Sequence, residues 1–159
     1  MPQKLRYEID LSDLTPVAAS QYLQVKAISR DDLEGLARLM LDAYVGTIDY
    51  EDESLEDAIE EVRSFLDDGR ALLDRSYLVE DDGTIASAVL VSLSEGRPFI
   101  GYVMTLPSHK NQGLARLVTT IALERLARDG HETVVLYITE GNTPSEALFR
   151  SVGAVQIES

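Results

Sequence analysis

"LPSHKNQGLA", Leu106 to Ala115, lies between a strand-like apolar run, Phe99 to Thr105, and a long amphipathic segment. Its reading decides the fold, because it opens a helix in an unusual way. Most helices begin with a Ser, Thr, Asp or Asn cap and a carboxylate in the first turn, groups that satisfy orphan amides and suit the positive end of the dipole. This entrance has Pro107, His109, Lys110, Asn111, Gln112 and Gly113, and no carboxylate. The N–H groups of Gln112 to Ala115 are left to converge, the glycine lets backbone approach closely, and Lys110 adds a full positive charge. Such a seat suits an anion of the size of a diphosphate. Taken alone, a glycine at a helix entrance is more often plain steric relief.

Outward from this loop the chain alternates strands and helices. Toward the N-terminus, Ser76 to Glu80, the turn "DDGT", Ile85 to Leu93, the turn "SEGR" and Phe99 to Thr105 read as an antiparallel meander. Before it come two helices opened by capping boxes, Ser29 with Asp32 and Ser54 with Asp57. Leu33, Leu36, Ala37, Met40 and Tyr44 share a face of the first, and Leu55, Ala58, Ile59, Val62, Phe65 and Leu66 a face of the second. A polar connection with Asp49 and Tyr50 joins them. A strand over Tyr22 to Ile28 precedes both, and a looser segment, Ser12 to Ser20, separates it from Leu5 to Leu11. Toward the C-terminus the pattern predicts a helix from Gly113 to Arg128 stopped by Gly130, then a strand over Thr133 to Ile138. A short helix follows, with Thr143 as cap, Pro144 at its first position, Glu146 closing the box and Gly153 ending it. Ala154 to Ser159 is enough for one short strand.

Composition narrows the function classes. With 159 residues, 45% of them apolar, the chain is expected to form one domain with a core of its own. The absence of cysteine excludes disulfides, thiolate metal sites and a Cys nucleophile, and two histidines give little support to a metal site. No apolar run reaches bilayer length and "MPQKLRYEID" lacks the apolar core of a signal peptide, so the expectation is a soluble, cytoplasmic protein without a membrane partner. A formal charge of −14 argues against nucleic acid. Residues 31 to 82 hold 18 acids against four arginines, so the whole excess lies in one third of the chain. Either that third is a solvated surface, or it attracts a cationic partner while the neutral remainder handles an anionic one. The phosphate loops G-x-x-x-x-G-K-[ST] and G-x-G-x-x-G and the elbow G-x-S-x-G are all missing.

Together these residues resemble the GNAT superfamily of acyl-CoA-dependent N-acyltransferases. The family loop, [Q/R]-x-x-G-x-[G/A] after a central strand, corresponds to Lys110, Asn111, Gln112, Gly113, Leu114 and Ala115. A second motif, Asn followed by a short helix with an aromatic residue and then Gly, corresponds to Asn142, Ser145, Leu148, Phe149, Gly153 and Ala154, starting 29 residues after Gly113. Residues 99 to 153 therefore carry the cofactor motifs, and residues 1 to 20 read as an N-terminal extension. The chain departs from the pattern at Lys110, which keeps a charge but lacks a forked donor, and at Phe149, where many relatives have a tyrosine that protonates the departing thiolate. It also ends about one strand early, a gap that Leu5 to Leu11 or a strand of a second subunit in a homodimer would fill.

The resemblance implies an α/β (α+β) fold. Its sheet would be central, mixed, mostly antiparallel, of six to seven strands flanked by four helices, and splayed at its centre for acyl-CoA. It implies an N-acetyltransferase acting from acetyl-CoA on a small-molecule or protein amine; the alternative is a module that binds or senses acyl-CoA without catalysis. Met104 and Thr105 would offer main-chain groups to the pantetheine arm, residues 110 to 115 would hold the diphosphate, Asn142 would face the arm, and Phe149 would lie near the sulfur. The acidic third would roof the acceptor pocket, with Tyr44, Asp49, Tyr50 and Glu51 binding a cationic amine and Asp49 or Glu140 taking its proton through water.

Overall fold

A computed structural model describes residues 3–14, 17–22, 24–47 and 50–157. The two meander turns are the simplest elements to derive. Asp82 and Gly83 have φ of 53° and 80°, and Glu95 and Gly96 have 52° and 78°. Two successive left-handed residues are the pattern of the type I′ turn, whose twist matches that of the strands it joins. Each turn closes a hairpin, and together they build β3 (Tyr77–Asp81), β4 (Thr84–Ser94) and β5 (Arg97–Thr105). β4 is buried on both faces, which explains why "IASAVLV" reads as an almost unbroken apolar run.

The first two long helices start where their caps predict. Ser29 N–H donates to Asp32 Oδ2 (2.9 Å), opening a 3₁₀ turn that leads into α2 (Leu33–Tyr44). α3 (Leu55–Asp67) begins with the reciprocal pair Ser54 N–H to Asp57 Oδ2 (2.9 Å) and Asp57 N–H to Ser54 Oγ (3.1 Å). α4 (Leu114–Arg128) starts at Gly113, and α5 (Thr143–Ser151) is capped by Asn142 rather than by Thr143. Asn142 Oδ1 accepts from Ser145 N–H (3.2 Å), a step that moves Pro144 to the second helical position. A one-turn helix, α1 (Ala19–Tyr22), adds a fifth among the described residues. It consumes Tyr22, so the strand expected over Tyr22 to Ile28 shrinks to β2 (Lys26–Ala27). Tyr22 instead carries the guanidinium of Arg125 over its ring at 4.6 Å, a contact that ties this segment to α4.

Completed by β1 (Lys4–Asp10), β6 (Thr133–Thr139) and β7 (Ala154–Gln156), the sheet has seven strands in the order β2-β3-β4-β5-β6-β1-β7. It is mixed: β5 and β6 are parallel, and every other neighbouring pair is antiparallel. β1 pairs with β6 along all seven of its residues, from Lys4↔Thr139 to Asp10↔Thr133, and with β7 on its other edge. The place left open late in the chain is therefore filled by the chain's own first strand. α2 and α3 cover one face over Leu78, Ala88, Leu90 and Met104. α4 and α5 cover the other over Tyr7, Ile9, Val89, Leu136 and Ile138. Among the described residues no helix is long and apolar enough to cross a membrane.

Because Ile9 is 0% exposed in an interior strand, Ile9→Ala is expected to lower unfolding free energy by about 2–5 kcal/mol, read from urea denaturation. A loss below about 0.5 kcal/mol, the usual range of a surface substitution, would mean that β1 is a dispensable appendage.

Candidate active site

The site begins with an irregularity in β5. Leu90 pairs with Tyr102 but Val91 pairs with Ile100, so Gly101 is an extra residue on β5. A bulge of this kind bends its strand and increases the local twist. β5 stays with β6 for two pairs only, Phe99↔Val135 and Ile100↔Leu136, and the two strands then part. Leu106 N–H donates to Ala86 O (2.9 Å), and Ser87 Oγ donates to the Met104 carbonyl (2.9 Å). Hydrogen-bonding direction alternates along an antiparallel strand, so Tyr102 and Met104 turn their main-chain groups toward β4, and Val103 and Thr105 turn theirs toward the gap. Met104, expected to offer its main chain to the pantetheine arm, thus turns those groups to β4, and its side chain is 2% exposed, packed under α2 and α3.

The gap opens a cavity of about 680 Å³. Its slot half is lined by Ile100, Val103, Leu136, Ile138, Phe149 and Asn142, with Lys4 contributed by β1. Phe149, 6% exposed, belongs at once to the core and to this wall. Its other half is phenolic and acidic: Tyr44 from α2, Tyr50, Glu51 and Glu53 from the connection, Glu61 from α3 and Tyr102 from β5. Burial, then the charge and hydrogen bond of Glu61, push the Tyr102 hydroxyl well above the usual phenol range. Glu51 N–H donates to Glu53 Oε2 (3.0 Å), which fixes the connection locally.

At the mouth of the gap, beyond Thr105, the loop turns through a 3₁₀ segment, Pro107–His109. It is fastened to the end of β3 by His109 Nε2 and Asp81 Oδ2 at 2.7 Å, while Ser108 Oγ lies 2.8 Å from His109 Nδ1. Asn111 and Gly113 are both left-handed, with φ of 67° and 78°. Gly113 caps α4 with no side-chain hydrogen bond, and no acid stands in the first turn. An ideal Cβ on Gly113 would meet nothing within 4 Å, so glycine serves the backbone conformation here and keeps the space in front of the helix clear. Lys110, Asn111 and Gln112 are exposed, while Leu114 and Ala115 are half-buried in the first turn.

The structure therefore brings Tyr44, Tyr50, Glu51, Asn142 and Phe149 around one cavity. Glu140 is not among the lining residues: it is exposed past the end of β6, where its N–H donates to the Gln3 carbonyl (2.7 Å). Asp49 lies outside the described residues. Sequence reasoning missed Glu53, Glu61, Tyr102 and Lys4. Glu61 left a signal, three residues after Ala58 and four before Phe65, at the margin of the apolar face of α3.

A mixed sheet parted beside an uncapped helix, with helix pairs on its two faces, is the GNAT architecture, and solved structures agree. The chain resembles the GCN5-related N-acetyltransferase of Sphaerobacter thermophilus with TM-score 0.73 and 18% identity, over 99% of this chain and 50% of that one. It resembles the ribosomal-protein-S18-alanine N-acetyltransferase of Escherichia coli with TM-score 0.66 and 17% identity, over 81% of this chain and 75% of that one. For the aminoglycoside N-acetyltransferase AAC(6')-Iy in complex with CoA the values are TM-score 0.66 and 15% identity, over 85% of this chain and 89% of that one. The chain thus spans half the length of the Sphaerobacter protein, and at such identities the likeness defines the fold. Residues 79–159, just over half of the chain, match the family model described as FR47-like protein, and the chain belongs to that family. No curated protein matches it in sequence.

Asn142→Ala is expected to cost about 0.5–2 kcal/mol of stability through loss of the α5 cap, with Asn142→Asp nearly neutral. Thermal and urea unfolding of both variants checks this; equal losses would mean that the side chain does not act as the cap acceptor.

Proposed function

We propose that the protein is an N-acetyltransferase that moves an acetyl group from acetyl-CoA to a cationic primary amine by direct attack. The observation that carries this reading is the parting of β5 from β6, which opens a slot with one apolar and one acidic wall, while β5 runs on into the loop that ends at the uncapped start of α4. The residues fit an acyl-CoA. Val103 and Thr105 have main-chain groups directed to the gap for an amide-bearing arm. The left-handed loop, the first N–H groups of α4 and Lys110 suit a diphosphate. Phe149 and Ile138 wall the slot with apolar surface beside Asn142.

Acetyl-CoA supplies an acyl thioester, whose C–S bond breaks as the C–N bond to the amine forms. Tyr44, Tyr50 and Tyr102 present phenolic rings to the incoming cation, and the glutamates of the same wall hold its charge. An ammonium loses one proton before it attacks; that proton passes through water to a carboxylate of this wall. Phe149 has no proton to give the leaving sulfur. A lost general acid costs roughly 10²–10⁴-fold, but a thiol of pKa near ~8.5 departs without one, and water then protonates it. The missing hydroxyl also favours a second reading, a module that binds acyl-CoA without turnover. Thiol release from acetyl-CoA in the presence of pooled amines separates the two.

Acetyl-CoA is expected to raise the melting temperature of the wild type, and Gly113→Glu to abolish the rise, because the new side chain strains a left-handed position and repels phosphate. An undiminished rise in that variant would remove the loop from the binding site. Phe149→Tyr is expected to keep acetyl-CoA binding and to preserve or raise the rate of thiol release. Should wild type release no thiol with any amine while Phe149→Tyr does, the binding-module reading holds for the natural chain.

A further inference from the structure

The acidic third of the chain treats its carboxylates in two ways. Around α2 and α3 several are paired, Glu34 with Arg38, Glu60 with Arg63, Asp67 with Arg30 and Asp68 with Arg70, while Asp31, Asp42, Glu56 and Asp57 are in no ion pair among the described residues. Among the described residues, no such ion pair engages Glu51, Glu53 or Glu61, the three carboxylates that line the cavity. Among the described residues Lys4 is the one basic residue of the lining; it comes from β1, which borders the slot side of the cavity. Three like charges around one concavity repel one another unless a counter-charge joins them.

A second feature points the same way. Glu61 and Tyr102 line the cavity and also an open groove of about 510 Å³ on the far side, with Glu60, Ser64, Phe65 and Asp68. The two concavities share the Glu61 and Tyr102 side chains, so the concave surface runs on past the cavity along α3, where Glu60 and Asp68 are already paired with Arg63 and Arg70. Phenolic rings at Tyr44, Tyr50 and Tyr102 and the Phe65 ring give apolar surface between the charges, which suits methylene segments as well as cations. One ammonium would answer one of the three carboxylates; two or more, spaced by a flexible chain, would answer the set.

We infer that the acceptor is an elongated organic cation with at least two ammonium groups, such as a linear diamine or triamine, held across the Glu61–Tyr102 junction with one end directed to the slot. This deepens the transfer reading and rests on it. A compact monoamine would occupy only part of the surface, and an anionic or zwitterionic acceptor would meet repulsion from the same wall.

The test compares n-alkylamines, α,ω-diaminoalkanes of equal carbon number and a linear triamine on the full chain. Two readouts are taken: calorimetric binding of the amine alone, and thiol release with acetyl-CoA. The diamine is expected to bind and to react, as kcat/KM, at least about tenfold better than the monoamine, as one extra charge-assisted contact warrants. Glu61→Gln is expected to remove most of that advantage with the melting temperature and acetyl-CoA affinity unchanged, and Glu53→Gln to reduce it. Equal affinity for mono- and diamine, or an advantage untouched by both substitutions, overturns the inference even if monoamines are acetylated well. Preferred diamine binding lost in Glu61→Gln, with no thiol release from any amine, upholds the inference about the surface and overturns the transfer reading instead.

Discussion

Everything in the site follows from a sheet that is not allowed to close. β5 and β6 keep only two residue pairs before the bulge at Gly101 bends β5 away. Main-chain N–H and C=O groups are obligatory hydrogen-bonding groups, and a strand that leaves its neighbour exposes a row of them. Here the exposed row faces a half-enclosed slot between two layers of helices. That arrangement is costly without a partner and favourable with one that has amides to offer.

The rest of the sheet compensates for the opening. β6, having lost β5 on one edge beyond Leu136, is held along its full length on the other by β1, and β1 in turn holds β7. The first strand of the chain is therefore interior, with Tyr7 and Ile9 sealed under α4 and α5. This also brings Lys4 into the cavity lining and lets the Gln3 carbonyl accept from Glu140 N–H. The backbone at Glu140 is thus engaged at the sheet margin, and its side chain stays outside the cavity.

What was legible in the sequence is what local chemistry decides. Ser54 and Asp57 announce a helix because their groups close on each other within four residues, and Asp82–Gly83 announces a hairpin because few other pairs tolerate two left-handed residues. The start of α4 at Gly113 was readable for the same reason, as a helix entrance stripped of its usual cap. Elements decided by distant partners were harder. Tyr22 reads as strand by its neighbours but follows the one-turn helix and the ring contact with Arg125. Thr143 and Asn142 are both good caps, and only the reach of Asn142 Oδ1 to Ser145 N–H selects between them. Which of Val103 and Met104 turns its main chain to the gap is a matter of strand alternation, undecided by sequence until the hydrogen-bonding phase is known. Glu61 and Tyr102 meet across α3 and β5, 41 positions apart, and no local pattern joins them.

The placement of charge completes the logic of the site. The helix that faces the gap begins without an acid and with its N-terminal N–H groups uncapped, so that end is electropositive by backbone and by Lys110. Across the cavity the connection and α3 present glutamates that form no ion pair among the described residues, although arginines occupy neighbouring positions on the same surface. An evenly compensated surface would be more stable in isolation, since surface pairs contribute up to about 1 kcal/mol each. Leaving both ends uncompensated forgoes that small gain and creates a field across the opening instead, positive where a polyanionic donor would be seated and negative where a cationic acceptor would enter. On the proposed function, two ligands of opposite charge would thereby be sorted to opposite sides of the site before any specific contact is made.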